Sequence, residues 1–496
     1  MKWKDFAENQ RHYMRKYQDE CKGRDVEFGR YCGRTKGITE VLDREETDVD
    51  PLQMAVRPCP GSGVVVLSNF MPDCYTILHG SEGCAYILKV FTDGYMLIFQ
   101  EKGNIVTTAM NRVDAILGGE GKLREAILEV DRDHHPKIIM VIKSCAPTVI
   151  GDDIKGVCRS LKDQVSCKLV PVDVSSFGSR HCGLGRNEWL EALGEEFIKP
   201  SKQKIPNMIN FIGDNCALHP PETRPLNDPE ELERVMTAMG VKVHCRLPGR
   251  DSFDKLATFT SASLNVLVCG AAGLEFAKHM KEHYGMPYVT ANRPIGVQNT
   301  TQLYLSVIEA LGLGDKAMEV LHREVKEAEQ ALEPYRQKLT GKRFGVSLAS
   351  GRFVGQVLMG MELGMEPVLL ILHSLHEKVF AGLEILTEIF AEKGYDPEFI
   401  TEANFYEEAE LLDRIKPDVW YIDGTEKGMS IRFGIPYVNS MAETFSGPQM
   451  GYKGSLFWAD QTLKAVESAE IFRKVAAPNS RIRYQPEKHK NLLKGE

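Results

Sequence analysis

The apolar residues of this chain lie mostly in short runs. Turn residues stand at the ends of these runs, and charged, helix-like stretches separate one run from the next. Short apolar runs in alternation with helical segments are typical of strands in a parallel sheet. The predicted strands are GVVVL (63–67), KIIMVIK (137–143), KLVPVD (168–173), NMINFIG (207–213), VKVHC (241–245), LNVLVC (264–269), MPYV (286–289), RFGVSLASG (343–351), PVLLIL (367–372), DVWYID (418–423) and IPYV (435–438).

Helices are predicted where apolar residues recur every three or four positions between these runs. The clearest are GEGKLREAILEVDRD (119–133), DPEELERVMTAMG (228–240), GLEFAKHMKEHYG (273–285) and a long charged helix at 314–338. Strand and helix therefore follow one another through most of the chain, which indicates an α/β fold.

A chain of 496 residues is long for one hydrophobic core. We predict three Rossmann-like domains with parallel sheets around a central cofactor cleft. A charged N-terminal extension (1–55), without a clear strand, precedes them and wraps the body or a partner. The domains are predicted at 56–203, 204–335 and 336–496, with the first boundary at the polar, proline-containing stretch KPSKQKIP.

Composition excludes several classes of protein. The net charge is −8, and Lys and Arg are interleaved with acids, which argues against a nucleic-acid partner. No apolar run approaches the ~18 residues of a membrane span, and the charged start MKWKDFAENQRHY lacks the apolar core of a signal peptide. We therefore expect a cytoplasmic protein.

The twelve cysteines all lie at or before position 269. A large chain without an export signal favours reduced thiols or metal ligands over disulfides. There is no CxxC pair, so zinc ribbons, ferredoxin motifs and thioredoxin-type sites are unsupported. Cys145 comes just after the predicted strand KIIMVIK, and Cys269 stands at the end of LNVLVC. Both therefore fall at the sheet edge where open α/β folds bind ligands. The alternative for each is a small residue filling a tight strand exit.

Three segments place a cysteine beside glycine or proline in a predicted loop: RPCPGSGVV at Cys59, ILHGSEGCAY at Cys84 and KSCAPTVIGDDIKGV at Cys145. Soft thiolates in such loops suit zinc, copper(I) or an iron–sulfur cluster. Three thiolates leave a four-cysteine cluster incomplete, so a second chain would supply the remaining ligands.

These segments resemble the nitrogenase superfamily. HGxxGC at 79–84, the segment CxxxxIGDD at 145–153 and the preceding Cys59 occur in that family's order and approximate spacing. The resemblance implies that Cys59, Cys84 and Cys145 hold half of an interface cluster, either a P-cluster-like [8Fe-7S] cluster or a [4Fe-4S] cluster.

A second resemblance points to an α-type, cofactor-bearing subunit. The segment LNVLVCGAAGLEFAKHMKEHYGMPY (264–288) resembles the segment that supplies the cysteine ligand of the larger iron–sulfur cofactor, which implies that role for Cys269. LASGRFVGQ (348–356) resembles the loop whose arginine contacts that cofactor, which implies this role for Arg352, with an ordinary surface arginine as the alternative.

The chain departs from the dinitrogen-reducing pattern at three positions. Met441 stands where those enzymes have a histidine ligand, and it is either a weak substitute ligand or, as we favour, an apolar wall. Arg186 replaces a proton-donating histidine, and Cys182 replaces a glutamine that contacts the cofactor. A guanidinium is a poor general acid, so His181 could donate protons in place of Arg186. The alternative for His181 is a structural histidine whose hydrogen bonds are satisfied.

The resemblance thus implies the catalytic subunit of a nitrogenase-like reductase, nearest the methylthio-alkane reductases, which cleave a carbon–sulfur bond of a small substrate. A related β-type subunit would complete an α2β2 heterotetramer, and a separate ATP-hydrolysing iron protein would donate electrons. The chain has no GxxxxGK[ST] loop of its own. The alternative is a non-catalytic scaffold on which the iron–sulfur cofactor is assembled.

Overall fold

The computed structural model shows an α/β protein with three separate sheets in the residues that it describes. Those residues are 8, 32–34, 59–69, 71, 73–96, 104–174, 182–213, 228–247, 249, 253–268, 273–373, 377–401, 403–424, 426–440 and 447–476. The strands are β1 Cys32–Arg34, β2 Cys74–His79, β3 Ile105–Thr107, β4 Ile138–Lys143, β5 Lys168–Val172, β6 Ile205–Ile212, β7 Lys242–Leu247, β8 Ala262–Leu267, β9 Tyr288–Thr290, β10 Arg343–Ala349, β11 Glu366–His373, β12 Glu398–Thr401, β13 Val419–Ile422 and β14 Tyr437–Asn439.

The helices fill most of the connections between these strands. They are α1 Pro60–Ser68, α2 Glu82–Met96, α3 Asp114–Leu117, α4 Glu120–His134, α5 Cys145–Ile150, α6 Ile154–Leu161, α7 Cys182–Phe197, α8 Asp228–Ala238, α9 Phe253–Ala257, α10 Leu274–Tyr284, α11 Val297–Leu311, α12 Asp315–Leu339, α13 Ser350–Glu362, α14 Glu377–Lys393, α15 Phe405–Ile415, α16 Lys427–Phe433, α17 Gly451–Glu467 and α18 Ala469–Val475. The predicted α/β class and the helices at α4, α8, α10 and α12 are confirmed.

The first sheet has the strand order β3-β2-β4-β5, and all its pairs are parallel. The run GVVVL, which we predicted as a strand, is instead part of helix α1. Pro60 occupies the first helical turn, where its missing N–H costs nothing. The helix packs on β2, β4, α2 and α7 and is buried on nearly every side. A helix that is apolar all round has the same continuous pattern as a buried strand, which explains the wrong prediction.

The second sheet has the order β7-β6-β8-β9, again all parallel. Together with the first sheet it belongs to a compact unit formed by residues 57–291 and 303–322. Its predicted strands are confirmed within a few residues at each end. A large apolar core joins residues of both sheets, including Trp189 of α7 and Phe276 of α10.

The third sheet belongs to a second compact unit, residues 1–56, 292–302 and 323–496. Its order is β1-β12-β11-β10-β13-β14, with every pair parallel except β1 with β12. The expectation of no strand in the N-terminal extension is wrong at Cys32–Arg34. The sequence Cys-Gly-Arg carries no apolar alternation, and the antiparallel pairing with β12 comes from backbone hydrogen bonding.

The two faces of this third sheet are covered by different helices. Phe344 of β10 lies against Gly360 of α13 on one face. On the other face, Ile371 and Ile422 pack into a core with residues of α15 and α16. Ser347 pairs in register with both of these isoleucines, so its side chain points to the same face as theirs. The predicted domain boundaries at 203 and 335 and the central cleft stay predictions. In the described residues, no helix has the length and apolarity needed to cross a membrane.

Candidate functional site

Two of the predicted ligand cysteines begin helices at the carboxyl edge of the first sheet. Cys84 lies in the first turn of α2, directly after β2, and Cys145 is the first residue of α5, directly after β4. The two strands are neighbours, and the Ser144 N–H donates a hydrogen bond of 2.9 Å to the His79 carbonyl oxygen where they end. The fold thus brings two segments about 60 residues apart in sequence to one edge.

Cys59 reaches the same region from helix α1, for which it is the N-cap residue. A Cβ atom built on Gly61 would lie 3.6 Å from the Cys59 Sγ and 3.8 Å from the Leu88 Cδ1. Leu88 stands one helical turn after Cys84 on α2, so the beginnings of α1 and α2 are close together. Cys84 and Cys145 lie in the first turns of helices and not in loops as we expected, whereas Cys59 is the extended, non-helical residue before α1. The positive dipole ends of α1 and α2 favour an anionic cluster nearby.

The described cysteine side chains fall into two groups. Cys84 is exposed and Cys59 and Cys145 are half-buried, whereas Cys74, Cys158, Cys167 and Cys245 are buried. Burial raises the pKa of the thiols of Cys74, Cys158 and Cys167 to about 12, so these stay protonated and cannot readily act as ligands. The accessible group coincides with the three predicted ligands. The donor set therefore fits an iron–sulfur cluster at this edge.

A buried hydrogen-bond network fixes the segments around Cys84 and Cys145. The His79 Nε2 lies 2.9 Å from the Asp152 Oδ2, and its Nδ1 lies 3.0 Å from the Thr108 Oγ1. The same Asp152 oxygen accepts the Gly119 N–H at 3.0 Å, and the Thr108 Oγ1 accepts the Gly80 N–H at 3.1 Å. Burial lowers the pKa of His79 and outweighs the opposing effect of Asp152, which leaves the ring neutral. Because Asp152 only accepts, the ring carries its proton on Nε2.

The motifs HGxxGC and CxxxxIGDD contain His79 and Asp152, but the sequence analysis assigned no role to either residue. In the structure, these two residues hold the two cysteine segments together. The available signal was a histidine and an acid inside two motifs that both contain a ligand cysteine.

Apolar side chains are exposed around this edge. The exposed fractions are 81% for Ile116 and 80% for Leu117 on α3, and 71% for Val149 on α5. Helices α3 and α5 pack together, and Tyr86 and Ile87 are exposed beside Cys84 on α2. Contiguous exposed apolar surface is typical of a protein interface.

Helix α7 carries two further predicted residues, Cys182 at its start and Arg186 one turn later. A Cβ atom at Gly185 would lie 1.8 Å from the Pro60 carbonyl oxygen, so only glycine permits this approach of α7 to α1. The Trp189 Nε1 also donates to the Ser68 Oγ at 3.0 Å. Arg186 is therefore held near the helix that Cys59 caps, and its Nε forms no hydrogen bond within the described part of the chain. His181 and the side chain of Cys182 lie outside the described residues.

Arg352 lies on α13, just after β10, with 14% of its side chain exposed. Its Nη1 is 3.7 Å from the Asp423 Oδ1, and Asp423 also accepts the Ala349 N–H at 2.9 Å and the Ser440 hydroxyl at 2.8 Å. Asp423 was missed by sequence reasoning, although it is the last residue of the predicted strand DVWYID and directly follows the observed strand β13. Arg352 thus stands at the carboxyl edge of its sheet with a carboxylate that restrains it. Cys269 and Met441 lie outside the described residues.

Comparison with known proteins places this chain among proteins of the nitrogenase type. The family model described as Nitrogenase component 1 type Oxidoreductase matches residues 59–467. The nitrogenase iron-molybdenum cofactor biosynthesis protein NifE of Methanococcus maripaludis is 26% identical over 428 residues, covering 82% of this chain and 83% of that protein. NifE of Clostridium pasteurianum is 27% identical over 413 residues, covering 82% and 86%.

Two further similarities concern nitrogenase itself. The nitrogenase molybdenum-iron protein alpha chain of Methanosarcina barkeri is 28% identical over 366 residues, covering 71% of this chain and 66% of that protein. The solved structure titled "Nitrogenase Cp1 at pH 5" superposes with a TM-score of 0.73 at 20% identity, covering 88% of this chain and 94% of that one. This last similarity establishes the fold.

Proposed function

We propose that this chain is a subunit of a scaffold on which a nitrogenase-type iron–sulfur cofactor is assembled and then handed over. The proposal starts from the family: the chain belongs to the nitrogenase component 1 type oxidoreductases. The observation that carries the proposal is the set of three accessible thiols at one sheet edge in a chain that matches two cofactor biosynthesis proteins over most of its length. This was the alternative in the sequence analysis.

Two iron–sulfur groups and one protein partner follow from this proposal. Cys59, Cys84 and Cys145 would hold half of an interface cluster, of the [8Fe-7S] or [4Fe-4S] kind, that passes electrons when bound. A related β-type subunit would supply the other ligands and cover the exposed apolar side chains on α3 and α5, giving an α2β2 heterotetramer. A separate ATP-hydrolysing iron protein would be the electron donor.

The larger cofactor would be held by Cys269, with Arg352 as the facing cation. Restraint of the Arg352 guanidinium by Asp423 supports this role, because a fixed fork of N–H donors suits an anionic, sulfide-rich group. Cys182 and Met441 would form walls of the same pocket. A pocket without a histidine ligand at position 441 suits a cofactor that has to leave.

A catalytic subunit is the second candidate, and the identity to a nitrogenase alpha chain favours it. The relatives described above are cofactor biosynthesis proteins and a nitrogenase alpha chain, so they lend no specific support to a methylthio-alkane reductase. In this candidate, the complex would cleave a carbon–sulfur bond of a small methylthio compound, and His181 or Arg186 would serve proton delivery.

One experiment separates the two candidates. The purified complex, given its iron protein, ATP and a reductant, is incubated either with cofactor-free nitrogenase or with a methylthio-alkane. We expect activation of the cofactor-free enzyme and no alkane release, and the Cys269→Ala variant should lose the transfer. Alkane release at many turnovers without cofactor transfer would overturn the scaffold proposal.

A second experiment tests the interface cluster. Replacement of Cys59, Cys84 or Cys145 by Ala should lower the iron content of the complex, whereas Cys158→Ala, at a buried thiol, should leave it unchanged. Iron content and cluster spectra equal to those of the wild type in all three ligand variants would refute the assignment.

A further inference from the structure

A second cluster of candidate ligands lies in the third sheet, on the face opposite α13 and Arg352. His373 ends β11, Glu408 lies on α15, and Glu426 is the residue before α16. All three are buried, and one ligand atom from each lies within 4.8 Å of the others. Ser347 of β10 adds a hydroxyl, since its side chain points to the same face.

Three of these atoms form a nearly equilateral triangle. The Ser347 Oγ lies 2.8 Å from the His373 Nε2 and 3.0 Å from the Glu408 Oε1, and the last two atoms are 2.9 Å apart. Neighbouring ligands of an octahedral cation with bonds of roughly 2.1 Å are themselves about 3 Å apart, so the triangle has the dimensions of one octahedral face. Hydrogen bonding alone offers two protons, from the imidazole and the hydroxyl, for three short contacts.

The buried carboxylate of Glu408 gives a second, independent indication of a bound cation. Its side chain is fully buried, and its Oε2 makes no hydrogen bond within the part of the chain that the structure describes. A buried carboxylate oxygen without a partner costs several kilocalories per mole unless a proton or a cation neutralises it. Glu426 is 1% exposed and brings a second carboxylate to the same place.

We propose that His373, Glu408 and Glu426, with the Ser347 hydroxyl, form a binding site for a single divalent cation of the Mn²⁺, Fe²⁺ or Zn²⁺ class. One imidazole with two carboxylates is a donor set that Mn²⁺, Fe²⁺ and Zn²⁺ all accept, whereas a soft ion such as copper(I) would prefer the cysteines. Burial of all three ligands makes the ion structural: it ties strand β11 to helices α15 and α16. The site is independent of the proposed scaffold function.

Manganese tests the proposal because Mn²⁺ binds poorly to thiolates. The full-length protein, treated with EDTA and desalted, is titrated with MnCl₂ while the room-temperature EPR signal of free Mn²⁺ is recorded. We expect one tightly held Mn²⁺ per chain and a rise in thermal unfolding temperature on binding. Glu408→Gln, which keeps the side-chain shape but removes the charge, should weaken binding at least tenfold and abolish that rise.

The matched control is Glu410→Gln, which removes the same charge from an exposed position on the same helix and should bind Mn²⁺ like the wild type. Cys59→Ala should also bind normally. If Glu408→Gln fails to fold, His373→Asn takes its place. Absence of a saturable Mn²⁺ site in the wild type, or unchanged Mn²⁺ binding in a folded ligand variant, would overturn the proposal.

Discussion

Replacement of Asp152 by Ala tests whether the hydrogen-bond network under the cysteines holds the cluster site together. Asp152 is 5% exposed, and its Oδ2 accepts hydrogen bonds from the His79 Nε2–H and the Gly119 N–H. The Ala variant leaves both donors buried without an acceptor. At ~1–3 kcal/mol for each unpaired buried donor, the loss in unfolding free energy is roughly 2–6 kcal/mol.

Asp152→Asn is the informative companion variant. An amide oxygen in the position of Oδ2 still accepts both N–H groups, so only the charge assistance is lost, at about 1–2 kcal/mol in total. Asp163→Ala removes an exposed acid that follows helix α6 and serves as the control.

Equilibrium urea unfolding gives the stability differences, and the iron content of the purified complex shows whether the cysteines stay in position. We expect iron to be lost in Asp152→Ala and largely retained in Asp152→Asn. A stability loss below about 1 kcal/mol in Asp152→Ala, the lower limit for one unpaired donor, with normal iron content, would refute the argument that this network positions Cys84 and Cys145.

Three further predictions concern ionisation. The pKa of His79 is lowered in the folded chain, so its contribution to stability is present above the usual histidine pKa of about 6.5 and is lost as pH falls below that value. His79→Gln should therefore make the urea unfolding free energy less sensitive to acid. An unchanged pH profile in this variant would contradict the prediction. The pKa of Glu362 is raised to about 7, chiefly by burial, so its stabilising contribution is present below the usual glutamate pKa of 4.5 and is lost between 4.5 and about 7 as pH rises. Glu362→Gln should remove this loss, and thermal unfolding at pH 5 and pH 8 checks it. Iodoacetamide at pH 8, applied to the folded cluster-free chain, should alkylate the exposed Cys84 within minutes. It should spare the buried Cys74 and Cys158, whose pKa values are about 12. Equal labelling of all three by mass spectrometry would contradict the separation of the thiols into accessible and buried groups.

The sequence by itself determined the α/β class, most strands and the three accessible cysteines. Strand and helix periodicities are local properties, and runs such as KIIMVIK lie between turn residues that limit them. The cysteines were identifiable because each lies in a short motif with glycine or proline. The run GVVVL was assigned wrongly because burial on all sides erases the periodicity that separates a helix from a strand.

Only the tertiary structure decided which residues meet. The pairing of β1 with β12 joins segments more than 360 residues apart through backbone groups that no side-chain pattern reveals. His79 and Asp152 are 73 residues apart, and His373, Glu408 and Glu426 come from a strand end and the starts of two helices. Their contacts depend on which strands are neighbours and how helices cover each face, and these are long-range properties of the packed chain. The accessibility that separates the thiol of Cys84 from that of Cys74 likewise exists only after the core has formed.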